Sequence, residues 1–493
     1  MFSNSTGNCT HSAQPPLSRA RGVLKSFYHA RTGKVIASCC LVFVVMIAAA
    51  PCFAQLSVSA QLRTRSELRD GQGTPSVADT VPAFFTSQRT RVSIGFTGYR
   101  FKLYSVIQDV RVWGQDASTV NRVTTSGQST LMLHEAWGEI SLLDTANHVN
   151  QFTLKVGRQE LNYDDARLVG NLDWLQQARR HDAVLLKFEN KDIVAHAGAA
   201  FNQNEERKSN TIYNGVPTGY SAGTNGIGTM YKSMQFLYAA RKFKASTLSF
   251  LFFKDDFSKF HADNSNPQQP KPVYESGVWS RFTTGAHFTG ALTKRINASA
   301  DAFYQGGSYR EGTSLNEYFF SFAAMYTQSK HFSIGPGVDL TSGNNGSDPS
   351  KKYQRFDPLY GTPHKFWGYM DYFYAADGFG PNGLLDLYLK TRFTPTEKSY
   401  ITFDVHQFSL PNAVTDEQGN VMNKSLGIEF DLVGSFALTK IVSIEGGYSF
   451  MHMSSTMLNP QVKNVADAGR GAQWAWLMIN IKPSFSFDKS PGK

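Results

Sequence analysis

Cysteine is scarce in this 493-residue chain: four residues, Cys9, Cys39, Cys40 and Cys52, all before residue 55. A disulfide scaffold, a thiolate metal centre and a cysteine nucleophile are therefore excluded from the rest of the chain. Long apolar runs are scarce as well. The one sizeable stretch, Val35 to Ala50 (VIASCCLVFVVMIAAA), has sixteen residues, short of the roughly 20 a spanning helix needs. Acid is absent from residues 1–54, which carry Arg19, Arg21, Lys25, Arg31 and Lys34 ahead of the apolar run and Pro51-Cys52-Phe53-Ala54 after it. That order describes a secretory signal peptide over 1–54, cut after Ala54, with a mature domain over 55–493. A lipoprotein acylated at Cys52 is the competing reading, and Ala49-Ala50-Pro51 makes a poor lipobox for it.

A strong positive excess is missing once the leader is set aside. The whole chain has 49 Lys+Arg against 39 Asp+Glu and a pI near 9.2. Five of those bases sit in the leader, so the mature chain is about +5 and nucleic-acid binding loses its main support. No Pro/Ser linker divides the chain, and a strand begins at Leu56, which leaves no room for a plug domain of the TonB-dependent kind. An outer-membrane lipase or protease would need a nucleophile and base. His134, His181, His331, His364 and His406 stand in no Gly-x-Ser-x-Gly-like setting, so no enzyme is expected. The Asp/Asn-rich stretch Ser342 to Pro363 lacks EF-hand spacing. It reads as a solvated extracellular loop, and no metal or cofactor is expected.

What the sequence has is aromatics (13%, with Phe 37 and Tyr 21), 41 glycines and alternation. In Leu56 to Arg69, Val58, Ala60 and Leu62 oppose Gln61, Arg63, Arg65, Glu67 and Arg69. In Gln88 to Phe96, Arg89, Arg91 and Ser93 oppose Val92, Ile94 and Phe96. Period two with one apolar face is a half-buried strand. Arginines on the other face cannot meet lipid, where a charge costs about 2–4 kcal/mol at the midplane, so they must face an aqueous lumen. Similar strands recur to the last one, Gln473 to Phe487, whose aromatics suit recognition by the barrel-assembly machinery. Pro336 marks its strand as edge-like or bent. Phe366 to Tyr374 suits a membrane-interface girdle or a stacking surface for sugar rings.

The spacing predicts an all-β fold: a transmembrane antiparallel β-barrel of the outer-membrane type with about 18 strands. A barrel this wide holds an aqueous channel unless loops plug it. Within Phe152 to Glu189, two alternating strands flank a segment dense in charge, with Arg158, Asp164, Asp165, Arg167, Asp173, Arg179, Arg180 and Asp182. In a barrel wall such a run becomes pore lining or mouth. On the same reading, Asp109 and Arg111 share one face of their strand.

The block Val156-Gly157-Arg158-Gln159-Glu160-Leu161, Asp165-Ala166-Arg167-Leu168-Val169-Gly170, Asp173-Trp174 and Arg179-Arg180-His181-Asp182-Ala183-Val184 resembles the alginate-export family of outer-membrane porins. The Arg63/Arg65 and Arg89/Arg91 strands, Gln108-Asp109-Val110-Arg111, and Phe356-Asp357-Pro358-Leu359-Tyr360 through Met370-Asp371-Tyr372 extend the likeness over nearly the whole mature chain. The resemblance implies a monomeric barrel in outer-membrane lipid whose arginine-rich constriction conducts an anionic saccharide or small anionic solute. It points to Arg63, Arg65, Arg89, Arg91, Arg111, Arg158, Arg167 and Arg180 as channel lining, with Asp109, Asp164 and Asp182 holding some of them in place. Two alternatives stay open: arginines that merely brace the wall against interior acids, and a closed-lumen barrel that is structural or acts as a lipid-side enzyme.

Overall fold

A computed structural model describes residues 55–77, 79–114, 131–144, 149–215, 230–266, 271–351, 354–375, 380–465 and 467–488. The leader and its four cysteines lie outside these residues. The chain order is β1 (Gln55–Asp70), β2 (Ala83–Gly98), β3 (Phe101–Val112), β4 (Leu131–Ser141), β5 (Asn150–Gln159), β6 (His181–Asn190), β7 (Ile193–Phe201), β8 (Ser233–Lys242) and β9 (Ser246–Asp263). It continues through β10 (Lys271–Ala291), β11 (Ile296–Ser308), β12 (Ser314–Ser329), β13 (Phe332–Thr341), β14 (Leu384–Thr396) and β15 (Ser399–Ser409). The last are β16 (Ser425–Ala437), β17 (Val442–Met453), β18 (Gly471–Ile481) and β19 (Ser484–Asp488).

From β1 to β18 each strand pairs antiparallel with the next, and β1 pairs with β2 on one side and with both β18 and β19 on the other. Pro483, which has no N–H to give, falls in the gap between β18 and β19. The two segments are one wall strand, and the wall is a closed antiparallel barrel of 18 strands. Closure removes every sheet edge, the condition for strands to cross lipid.

Parity decides which way each residue faces. Leu56, Leu62 and Leu68 on β1, Val92 and Ile94 on β2, and Leu477 and Ile479 on β18 are exposed on the outside. Arg63, Arg65, Glu67, Arg89, Trp474 and Trp476, on the other parity, are buried inside. The connections alternate in length. β2–β3, β6–β7 and β12–β13 are joined by two-residue turns, whereas 160–180 and 342–383 are long. Short turns on one side and long loops on the other is the outer-membrane pattern.

One expectation needs correction. Pro336 is not on an edge: β13 lies between β12 and β14, and the ladder to β14 runs unbroken through Pro336↔Leu389. Assigned partners to β12 lapse between Gly337 and Ile334, which is where the missing donor is accommodated. β9 and β10 stay paired out to Asp263↔Lys271. β7 has no clear signature in sequence, because IVAHAGAAF carries one polar side chain, His196, among small and apolar residues on both parities.

Candidate functional site

Two of the long connections fold inward. Residues 160–180 and 342–383 meet in a short parallel bridge, Val169 to Tyr360. It is extended by Tyr360 N–H to Leu168 O (2.9 Å), Gly170 N–H to Tyr360 O (3.0 Å) and Thr362 N–H to Ala166 O (2.8 Å). Gly361 permits this approach, since a Cβ there would sit 1.8 Å from the Arg167 carbonyl oxygen. From this junction, side chains reach β1 and β2 on one side and β9, β13 and β16 on others. Leu161, Leu168, Val169, Phe356, Tyr360 and Trp367 pack with wall residues Phe253, Phe319 and Trp474 in one apolar core. The inward segments therefore occupy the lumen at this level. The stretch Phe366 to Tyr374 belongs to this core: Phe366, Trp367, Met370, Tyr372, Phe373 and Tyr374 are buried. It is not a membrane girdle. Nor is Ser342 to Pro363 simply a solvated loop, because Phe356 and Tyr360 are buried and Asp357 binds Arg281 at 2.7 Å.

Four predicted arginines converge on this structure. Arg63 and Arg89 face each other across the β1–β2 ladder. Arg89 holds the Asp173 carboxylate at 2.8 and 3.2 Å, Arg63 reaches it at 3.3 Å and Arg91 at 3.4 Å. Arg63 also donates to the Asp173 carbonyl (2.8 Å) and to the Gln176 side chain (2.9 Å). Arg65 donates to Glu67 (2.9 Å) and to the Trp174 carbonyl (2.9 Å), with its guanidinium 4.3 Å above the Trp174 ring. Trp174 in turn stacks on His364 at 4.4 Å and meets Trp476 edge-on at 4.9 Å. Arg91 extends the cluster to Gln108 (2.6 Å), His134 (3.0 Å) and Glu160 (3.7 Å).

The guanidiniums are covered and the acid is not: the Arg89 side chain is 1% exposed and that of Asp173 40%. Burial alone would raise the Asp173 carboxyl, but Arg89, Arg63 and Arg91 outweigh it and hold it below the usual carboxylate range. Asp173 and Trp174 occur in the family-like block, yet alternation assigns them no role because they lie outside any strand.

Arg167 is brought to the other side of the lumen. It pairs with Asp339, with Asp165 at 3.4 Å and with Asp301 at 3.6 Å, and its guanidinium lies 3.9 Å from the Phe366 ring centroid. Arg180 lies against the Met132 sulfur at 3.4 Å. Asp164 is bound to hydroxyls rather than arginine, accepting from Tyr238 (2.8 Å) and Ser249 (2.7 Å). The expectation that it anchors a guanidinium is corrected on that ground.

Two predicted pairs face the wrong way for a channel. Asp109 and Arg111 bind each other at 2.7 Å. They share the parity of Leu103 and Ile107, both exposed on the outside, through an unbroken β2–β3 register. Arg158 and Asp182 form a two-bond pair at 2.8 Å in the parity of Val156 and Val184, again the outer face. Both pairs sit towards the long-loop ends of their strands, where a charge near lipid costs little.

The sequence reading also misses an acidic stretch of inner wall. On β13 to β16, Asp339, Asp386, Asp404, Glu429 and Asp431 are buried on the inner parity. Their signal is present in retrospect, since Asp386, Tyr388 and Lys390 alternate with Leu385, Leu387 and Leu389.

Known structures share this architecture at low identity. OccAB4 of Acinetobacter baumannii aligns over 87% of this chain and 98% of its own, with TM-score 0.55 and 11% identity. OccK3 (OpdO) of Pseudomonas aeruginosa covers 87% and 96%, with TM-score 0.56 and 10% identity. The outer membrane protein OpdK of the same organism covers 87% and 99%, with TM-score 0.52 and 8% identity. These likenesses show the fold, and no curated protein matches the chain significantly. The sequence profile described as alginate export matches residues 54–453, and the chain belongs to that family of outer-membrane channel proteins.

Proposed function

We propose that this outer-membrane barrel conducts anionic solutes, carboxylate-bearing saccharides among them, past the guanidiniums of Arg63, Arg65, Arg89 and Arg91. The observation that carries the proposal is the charge balance of that cluster. Three guanidiniums, those of Arg63, Arg89 and Arg91, share the single carboxylate of Asp173, which concentrates positive charge in a desolvated wall. Low-dielectric walls focus such a field into the lumen and raise the local concentration of anions. Guanidinium also matches carboxylate geometry in two-bond pairs. The Asp173 carboxylate, held by three of these arginines, shows that the cluster accommodates a carboxylate.

The test is the reversal potential of single channels in a planar bilayer under a KCl gradient. Anion selectivity that falls in Arg65→Ala and Arg91→Ala, with block by uronate oligomers, is the expected result. Arg158→Ala, on the outer face, serves as the control and leaves selectivity unchanged. The packed core formed by the inward segments favours a second reading, a closed structural barrel. Absence of any conductance would favour that reading over the channel.

A further inference from the structure

Six carboxylates in the described structure are almost wholly buried, at 2% exposure or less: Glu67, Asp255, Asp339, Asp386, Glu429 and Asp431. Four have a basic partner. Glu67 pairs with Arg65, Asp255 with Arg281, Asp339 with Arg167 and Asp386 with His406. Glu429 and Asp431 have none among the described residues. The nearest bases are already engaged, His406 by Asp386 at 2.8 Å and Lys390 by Asp404 at 3.4 Å.

The two carboxyl groups stand two residues apart on the inner parity of β16 and face one another. Each accepts a backbone amide from the inward segment: Met370 N–H to Glu429 Oε1 at 2.8 Å and Tyr369 N–H to Asp431 Oδ2 at 3.4 Å. The remaining oxygens, Glu429 Oε2 and Asp431 Oδ1, have no hydrogen-bond partner. Directly across the ladder from Asp431 stands Ser449, buried, turned towards that carboxylate and itself without a closed hydrogen bond.

We infer that Glu429 Oε2, Asp431 Oδ1 and the Ser449 hydroxyl form a binding site for a hard cation such as Ca²⁺. Two carboxyl groups buried side by side need either a shared proton or positive charge between them, and an all-oxygen donor set selects a hard cation over a transition metal. The cation would tie the 363–374 segment to the wall, because the same two carboxylates hold its amides. Two other groups with ligand-like spacing are less apt. His134, Glu135 and Glu160 already have Arg91 among them, and Asp165, His287 and Asp301 have Arg167.

The test uses the refolded, lipopolysaccharide-free channel at neutral pH, with Tb³⁺ as a luminescent stand-in for Ca²⁺ and the nearby Trp367 and Tyr369 as sensitisers. Wild type is expected to give sensitised emission that excess Ca²⁺ removes, and a Tm that rises with Ca²⁺ and falls with chelator. Both responses are lost in Glu429→Gln/Asp431→Asn and weakened in Ser449→Ala, a change mild enough to leave the barrel folded. A Tm that ignores Ca²⁺ and chelator would overturn the site, whether or not emission appears. If that Tm instead depends on pH through the two carboxyls, a shared proton occupies the place of the cation. Conductance plays no part in the readout, so failure here is distinguishable from failure of the channel reading.

Discussion

The inner wall at β1–β2 and the inner wall at β14–β16 carry opposite charge, and each is met by an inward segment of matching chemistry. Against Arg63, Arg65 and Arg89 the chain presents acceptors: the Asp173 carboxylate and the carbonyls of residues 173–175. Against Glu429 and Asp431 it presents donors, the amides of Tyr369 and Met370. The complementarity explains how backbone amides and carbonyls of long connections find partners inside a lumen. It also separates arginines that face the lumen from those of similar sequence context that do not.

Removing the charge that links an inward segment to the acidic side should have the largest effect. Arg167→Ala leaves Asp339 buried without its guanidinium, and losing one partner of a buried pair costs about 3–5 kcal/mol. Denaturant unfolding in detergent should show that loss. On the same side, Gly368→Ala should cost about 1–3 kcal/mol. Gly368 has φ +76°, and a Cβ there would lie 2.5 Å from the Glu429 carboxylate. A midpoint unchanged from wild type would mean that the 368–370 amides do not anchor the segment.

On the basic side, Asp173→Asn should destabilise by only about 1 kcal/mol, since the carboxylate is partly solvated. Its pH dependence has a definite sign. The folded-state carboxyl titrates below its ordinary value because the three arginines outweigh burial, so its contribution is complete above about pH 3.9. It is lost as pH falls through the depressed folded value. Hydrogen exchange across 160–180 should accelerate in that acid window in wild type, and Asp173→Asn should flatten the dependence. Arg158→Ala is the smallest case: an exposed pair contributes at most about 1 kcal/mol, and neither stability nor selectivity should change measurably.

The barrel itself was legible in the sequence because apolar residues anchor the parity. Leu62 between Arg63 and Gln61, or Val92 between Arg91 and Ser93, fixes which face each arginine takes. Where the anchor was not applied, the assignment went astray. The family resemblance assigns Asp109 and Arg111 to the lumen, though Ile107 on the same parity places them outside. The inward segments were not legible. An aromatic run such as Phe366 to Tyr374 has the same composition whether it meets lipid headgroups or a packed interior, and only long-range pairing such as Val169 with Tyr360 decides. Asp173 stands in the charged run but is given no role of its own for a related reason, since a loop residue has no periodicity to orient it.

The most direct measurement is the reversal potential of Asp173→Asn against wild type under one KCl gradient. If the β1–β2 guanidiniums set the field in the lumen, removing the carboxylate that partly neutralises them shifts the potential further towards chloride. An unchanged potential, or a shift towards potassium, would contradict the assignment of that cluster as the anion-selecting element.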